Sequence, residues 1–156
     1  MIDVIVDQSA WEAAEPAAAA LAEIAAAAVL VHERAAERDI AILLADDEQV
    51  RSLNATFRGR DAATNVLSFP AAEAAGEAAS PLGDIALAFG VCEREAAEQG
   101  KSLAHHLQHL TAHGVLHLLG YDHESDAEAE AMEATERAIL AGLGVPDPYA
   151  PRAPQL

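Results

Sequence analysis

The sequence predicts an α/β (α+β) fold: a small mixed four-stranded β-sheet with about five helices, one of them a histidine-bearing helix packed at the sheet. Three observations predict it. Short runs rich in β-branched residues alternate with longer segments of helical periodicity, the pattern of layered α/β proteins. In the second half the helical segments follow one another without intervening strands. And 156 residues at 52% hydrophobic content are enough for one compact domain with its own core, so residues 1–156 are expected to form a single domain.

Each element has a local reason. IDVIV (2–6) is short and β-branched, a strand. Pro16, suited to a first helical turn, opens an alanine-rich helix running to about Arg34. DIAILLA (39–45) is the second strand. In DDEQVRSLNATF, Asp46 is a natural N-cap, Val50, Leu53 and Phe57 recur at helical spacing, and Gly59 breaks the helix. TNVLSFP (64–70), ended by Pro70, and LGDIALAF (82–89) supply two more strands around an Ala/Glu/Gly/Ser/Pro loop. VCEREAAEQ is a helix closed by Gly100, Ser102 caps the next, which runs to Gly120, and the SDAE capping box at Ser125 starts a last one reaching Gly142. The proline-rich end from about residue 146 is expected to lack structure.

Composition narrows the function. A single cysteine, Cys92, excludes a disulfide framework and a thiolate-rich zinc site and points to a reduced, cytoplasmic setting. The start, MIDVIVDQSAWE, has no basic region followed by an apolar stretch, so no export signal is expected. PAAAALAEIAAAAVLVHER is interrupted by Glu23 and falls short of the roughly 20 apolar residues needed to cross a bilayer, so no membrane association is expected. The formal net charge of -17 argues against gripping nucleic acid by general electrostatics, because phosphate affinity comes from clustered Lys and Arg. Residues 122–137 carry Asp122, Glu124, Asp126, Glu128, Glu130, Glu133 and Glu136 against Arg137 alone, the composition of a solvated helix face.

The histidines carry the chemistry. His105, His109, His113 and His117 recur every four residues and share one helical stripe, with His106 beside it. Side chains at i and i+4 can converge on one ion, but i and i+8 are separated by about 12 Å of axis at about 1.5 Å per residue. A third ligand must therefore come from beyond the helix end. Gly120, free to adopt the left-handed conformation, supplies a turn after which His123 can fold back, which selects His113, His117 and His123 as ligands of one zinc per chain. Three imidazoles leave the fourth tetrahedral position open, as catalytic zinc requires. Asp122 is expected to orient a ligand rather than bind the metal, and His109, one turn before His113, to be a core or supporting residue. The spacing H-x3-H-x2-G-x2-H is that of zinc peptidases reading H-E-x-x-H-x-x-G-x-x-H, with Gly114 where their general base would stand. That substitution demotes peptide hydrolysis. Arg51, Arg58 and Arg60, clustered within ten residues, offer instead the side chain best suited to holding a phosphate, although an exposed helix and loop would carry such arginines without function.

HGVLHLLGYDH, LNATFRGRDAATNVLSFP and the LGDIAL strand resemble the YbeY family of single-domain, metal-dependent endoribonucleases that act in ribosomal RNA maturation and ribosome quality control, over roughly residues 40–148. The resemblance implies zinc at His113, His117 and His123, a critical Arg58 acting with His113, and a cleft between the histidine helix and the sheet, with Asn65 and Ser68 supporting the site. It also implies a single-stranded RNA substrate near the 3′ end of 16S ribosomal RNA, with small-subunit ribosomal proteins and a ribosome-assembly GTPase as partners. One departure stands out: the family often reads TDVLSFP, and Asn65 replaces that Asp. Zinc would serve either as a Lewis acid on a phosphoryl oxygen or by acidifying water, and the RNA 2′-hydroxyl is a competing nucleophile. A non-catalytic, zinc-stabilised ribosome assembly factor is the alternative from another class.

Overall fold

In a computed structural model, residues 1–71 and 81–150 are described. They form β1 (Ile2–Val6), α1 (Ala10–Ala14), α2 (Ala18–His32), β2 (Asp39–Ala45), α3 (Asp47–Arg58), β3 (Val66–Pro70), β4 (Pro81–Ala88), α4 (Phe89–Gln99), α5 (Leu103–Leu118) and α6 (Asp126–Gly142). The sheet has four strands in the order β1-β2-β4-β3, with β1, β2 and β4 parallel and β3 antiparallel to β4. It is the mixed sheet expected, with one helix more. The additional element, α1, is only five residues long and has no side-chain cap. Its reason is tertiary: Trp11 is fully buried, donates Nε1–H to the Ala45 carbonyl at 2.9 Å and meets Phe89 edge-on.

Alternation along the strands sends opposite residues to opposite faces of the sheet. Ile40, Ile42 and Leu44 of β2 and Ile85 and Leu87 of β4 join the larger core with Val29 of α2, Leu107, Val115 and Leu116 of α5, and Met132 and Leu140 of α6. Ala45, Leu67, Ala86 and Ala88 face the other way and pack with Val50 of α3. The sheet is thus covered on both faces. Phe57, expected on the apolar stripe of α3, is instead 66% exposed, touching Phe69 edge-on at the rim. The alanine-rich helix stops at His32, just before Arg34 takes a positive φ of 58°.

The expected loop lies outside the described residues beyond Ala71, as does the proline-rich end beyond Ala150. Residues 146–150, for which no structure is expected from sequence, form a turn packed against α6: Arg137 pairs with Asp147 at 3.2 Å and lies over the Tyr149 ring at 5.3 Å. Among the described residues no helix is long and apolar enough to cross a membrane.

Candidate metal centre

The histidine helix α5 begins where Ser102 accepts a hydrogen bond from the His105 N–H at 3.1 Å and ends at a turn in which Gly120 adopts φ 100°. That left-handed residue reverses the chain, as its freedom from a Cβ allows. His123, carried by the turn, comes back beside the helix, with ring centroids 5.1 Å from His117 and 5.8 Å from His113. One ring nitrogen from each of His113, His117 and His123 lies within 4.8 Å of the others.

The hydrogen bonds determine which nitrogens are available. His113 Nδ1–H donates to Glu136 Oε1 at 2.7 Å, and His117 Nδ1–H donates to the Tyr121 carbonyl at 2.9 Å. With both Nδ1 atoms turned to these acceptors, the two Nε2 atoms are left aimed at each other across 3.0 Å. In two neutral rings those nitrogens would present lone pairs to the same point, which is where a metal ion or a shared proton would sit. Burial first, and then the neighbouring His113, push the His117 imidazole below its ordinary pKa, which favours the neutral form that binds metal. This donor set fits a divalent ion that accepts imidazole nitrogen.

α5 lies close against the sheet because residue 114 is glycine. A Cβ there would come within 3.1 Å of Ile85 Cγ2 and 3.2 Å of Ser68 Oγ, and Ser68 donates to the Gly114 carbonyl at 3.0 Å. The position held by the peptidase base therefore faces the sheet and has no room for a glutamate.

Opposite the histidines, α3 delivers Arg58. Its Nη2 donates to the Ser68 carbonyl on β3, and its guanidinium lies 5.6 Å from the Phe69 ring centroid. Arg58, Arg60, Asn65 and Ser68 line one cleft of about 950 Å³ with His113, His117, Asp122 and His123. Arg51 does not join them. It is held outside by Asp61, at 2.7 and 3.1 Å, and that pairing raises the arginine pKa and lowers that of Asp61.

Among the residues expected to support the site, Asp122 accepts from the His123 backbone N–H at 2.8 Å, which shapes the turn that carries His123. Asn65 accepts from the Val66 N–H at 2.7 Å and donates to Glu95 Oε1 at 3.1 Å. An aspartate in its place would set a second carboxylate against Glu95, so the Asn suits its neighbour. His109 donates Nε2–H to Glu136 Oε2 at 3.0 Å. His105 lines a different cavity, with His106, Glu98 and Lys101.

Glu136 is the residue that sequence reasoning assigned to the wrong environment. Expected on a solvated face, it is fully buried and takes hydrogen bonds from His109, His113 and the Tyr149 hydroxyl, the last at 2.5 Å. Burial alone would raise its pKa, but these donors outweigh it and bring the carboxyl down to about 2. The signal was present in the helical phase, since Glu136 falls on the stripe Met132, Ile139 and Leu140 that α6 buries.

A mixed α/β sheet carrying three convergent imidazoles beside a cleft arginine defines a protein able to hold a metal ion where an anionic substrate can reach it. The chain belongs to the endoribonuclease YbeY family, whose model matches residues 4–144. It is thus a member of a family of enzymes that cut RNA phosphodiester bonds. Proteins named endoribonuclease YbeY are similar to it in Rhodopseudomonas palustris strain BisB5, 50% identical over 95% of this chain and 80% of that one, and in Bradyrhizobium diazoefficiens, 50% identical over 97% and 86%. The solution structure of TM1509 from Thermotoga maritima superposes with a TM-score of 0.55 at 22% identity over 100% of both chains, a likeness of fold.

Proposed function

We propose that this chain is a zinc-dependent, single-strand-specific endoribonuclease acting in ribosomal RNA processing, at the 3′ end of 16S rRNA, and in ribosome quality control, with residues 1–156 working as one cytoplasmic domain. His113, His117 and His123 hold one zinc through their ring nitrogens, and Arg58 holds the phosphate. The observation that carries this reading is the convergence of ring nitrogens of His113, His117 and His123 within 4.8 Å of one another in the same cleft as Arg58.

When bound, the ion supplies Lewis acidity to a phosphoryl oxygen or to a water molecule. The chain's own residues do the rest. Glu136 and the Tyr121 carbonyl keep the protons of His113 and His117 on Nδ1, away from the cleft. The Ser68 carbonyl takes one N–H of Arg58 and fixes the fork, leaving other guanidinium N–H groups for phosphate oxygens. RNA is the substrate. Small-subunit ribosomal proteins and a ribosome-assembly GTPase are the proposed partners, their basic surfaces complementing a chain of net charge -17.

The test pairs metal content with cleavage of a single-stranded RNA. His117→Ala and His123→Ala should lose stoichiometric zinc while His105→Ala keeps it. Arg58→Ala should keep zinc and lose roughly 100-fold or more in cleavage, the scale of removing a preorganised charge stabiliser. Arg58→Lys should recover little, because an ammonium does not reproduce the planar fork. Wild-type cleavage by Arg58→Ala, or zinc loss in His105→Ala equal to that in His123→Ala, would overturn the assignment. The ends of the product distinguish attack by water from attack by the 2′-hydroxyl.

A further inference from the structure

The buried carboxylate on α6 and the turn beneath it form an assembly of which the proposed function uses only the hydrogen bond from His113. We infer that Glu136 is a positioning residue for the metal centre, held in place by Tyr149, so that the turn at 146–150 sets the affinity of the histidine trio for its ion. The inference rests on the proposed metal reading and adds to it.

Glu136 is fully buried, and a buried carboxylate is costly unless its oxygens are filled by donors. Here they are: Oε1 accepts from His113 Nδ1, and Oε2 from His109 Nε2 at 3.0 Å and the Tyr149 hydroxyl at 2.5 Å. The arrangement acts in one direction. An anionic acceptor at Nδ1 keeps the proton there, orients the ring and raises the basicity of the opposite nitrogen, Nε2, which faces His117. His117 receives the same service from a neutral carbonyl, that of Tyr121, so the two ligands are oriented independently.

Tyr149 is the keystone on the solvent side. Its backbone N–H is fixed by Asp147 at 2.8 Å, Asp147 is held by Arg137, and Arg137 lies over the tyrosine ring. Burial and the adjacent Glu136 push the phenol pKa up, so it stays protonated and remains a donor. Removing its hydroxyl would leave Oε2 to His109 alone and loosen the carboxylate that holds His113.

The test uses the full chain with histidines labelled with nitrogen-15. Zinc affinity is measured by competition with a chelator, and the proton position on each metal-free imidazole is read by long-range proton–nitrogen NMR. In E136Q zinc affinity should fall about 10- to 100-fold, the usual effect of losing such a partner. His113 should shift toward a mixture of tautomers, while His117, held by Tyr121, keeps its proton on Nδ1. Y149F should show the same pattern with a smaller loss. Weaker zinc binding with an unchanged His113 tautomer would mean that Glu136 acts only on packing, and wild-type affinity with a wild-type tautomer would dismiss it altogether; either result overturns the inference. Should E136Q fail to fold, Y149F decides by the same two readouts. If the wild-type chain binds no zinc, the metal reading fails, and the tautomer measurement still judges the positioning role.

Discussion

Gly114 marks the point at which this chain and the zinc peptidase pattern part chemically, and the reason lies in the atoms around one missing Cβ. With Ile85 and Ser68 already at the limit of contact, a glutamate would have to overpack the α5–sheet interface and bury a charge there. Gly114→Glu is therefore expected to lose about 3 kcal/mol or more of stability in urea unfolding and to gain no peptidase activity. A folded Gly114→Glu that hydrolyses peptides would reverse the argument. Another residue-level prediction concerns pH. His106 is buried and donates to Glu95 at 2.9 Å; burial lowers its pKa, and Glu95 offsets this only in part. Between its lowered folded value and its unfolded value of about 6.5 it binds fewer protons folded than unfolded, so its contribution is intact above that range and lost as pH falls through it. Urea unfolding at about pH 7.5 and about pH 5.5 should show a smaller acid loss for His106→Gln than for wild type. Equal losses would assign the pH dependence to other groups.

At the scale of elements, α3 is the one whose two ends both matter. Asp46 accepts from the Gln49 N–H at 2.7 Å while the Gln49 side chain accepts from the Asp46 N–H at 3.1 Å, a reciprocal cap that starts the helix. Gly59, at φ 68°, ends it and aims the following loop. Arg58 occupies the last turn, so the cap and the terminator together set where the arginine points. Asp46→Ala should cost about 1 kcal/mol in urea unfolding, the usual value of a lost N-cap, without changing zinc content. No loss would mean that Asp47, which accepts from the Val91 N–H at 3.0 Å, suffices to anchor the helix. Elements of this kind were legible in the sequence because caps, glycine stops and two-residue alternation are local. β2 begins and ends where DIAILLA does. α1 was not legible, since it exists to bury Trp11 rather than by propensity.

For the whole molecule, charge is the governing fact. A net charge of -17 repels RNA beyond the screening distance of about 8 Å at physiological salt, so under the proposed function productive contact rests on the few cations in the cleft. Sequence alone offers three clustered arginines for that contact. Arg51 is committed to Asp61 and Glu48, which leaves Arg58 and Arg60 in the cleft. The log-log salt slope on single-stranded RNA should accordingly be shallow, between about -1 and about -2 at about 0.7 per contact. A slope steeper than about -4 with tight binding to a bare 16S-like fragment would reveal an extensive basic surface and remove the need for a presenting ribosomal partner.

The sequence by itself determined the mixed sheet and its strands, the capped helices, and the spacing that sets His113 and His117 one turn apart with His123 beyond a glycine turn. Each of these is written in neighbours along the chain, where sterics and hydrogen-bonding groups act over a few residues. Tertiary structure alone decided what those neighbours could not. It drew Glu136 from an acidic run into the interior, because its place on the stripe of Met132, Ile139 and Leu140 turns it toward α5. It brought Tyr149 onto the same carboxylate from thirteen residues further on, and it paired Arg51 away from the cleft while leaving Arg58 at its rim. Which carboxylate is buried and which arginine meets the cleft depend on contacts between elements distant in sequence, and the free energy of those contacts exists only once the elements have packed.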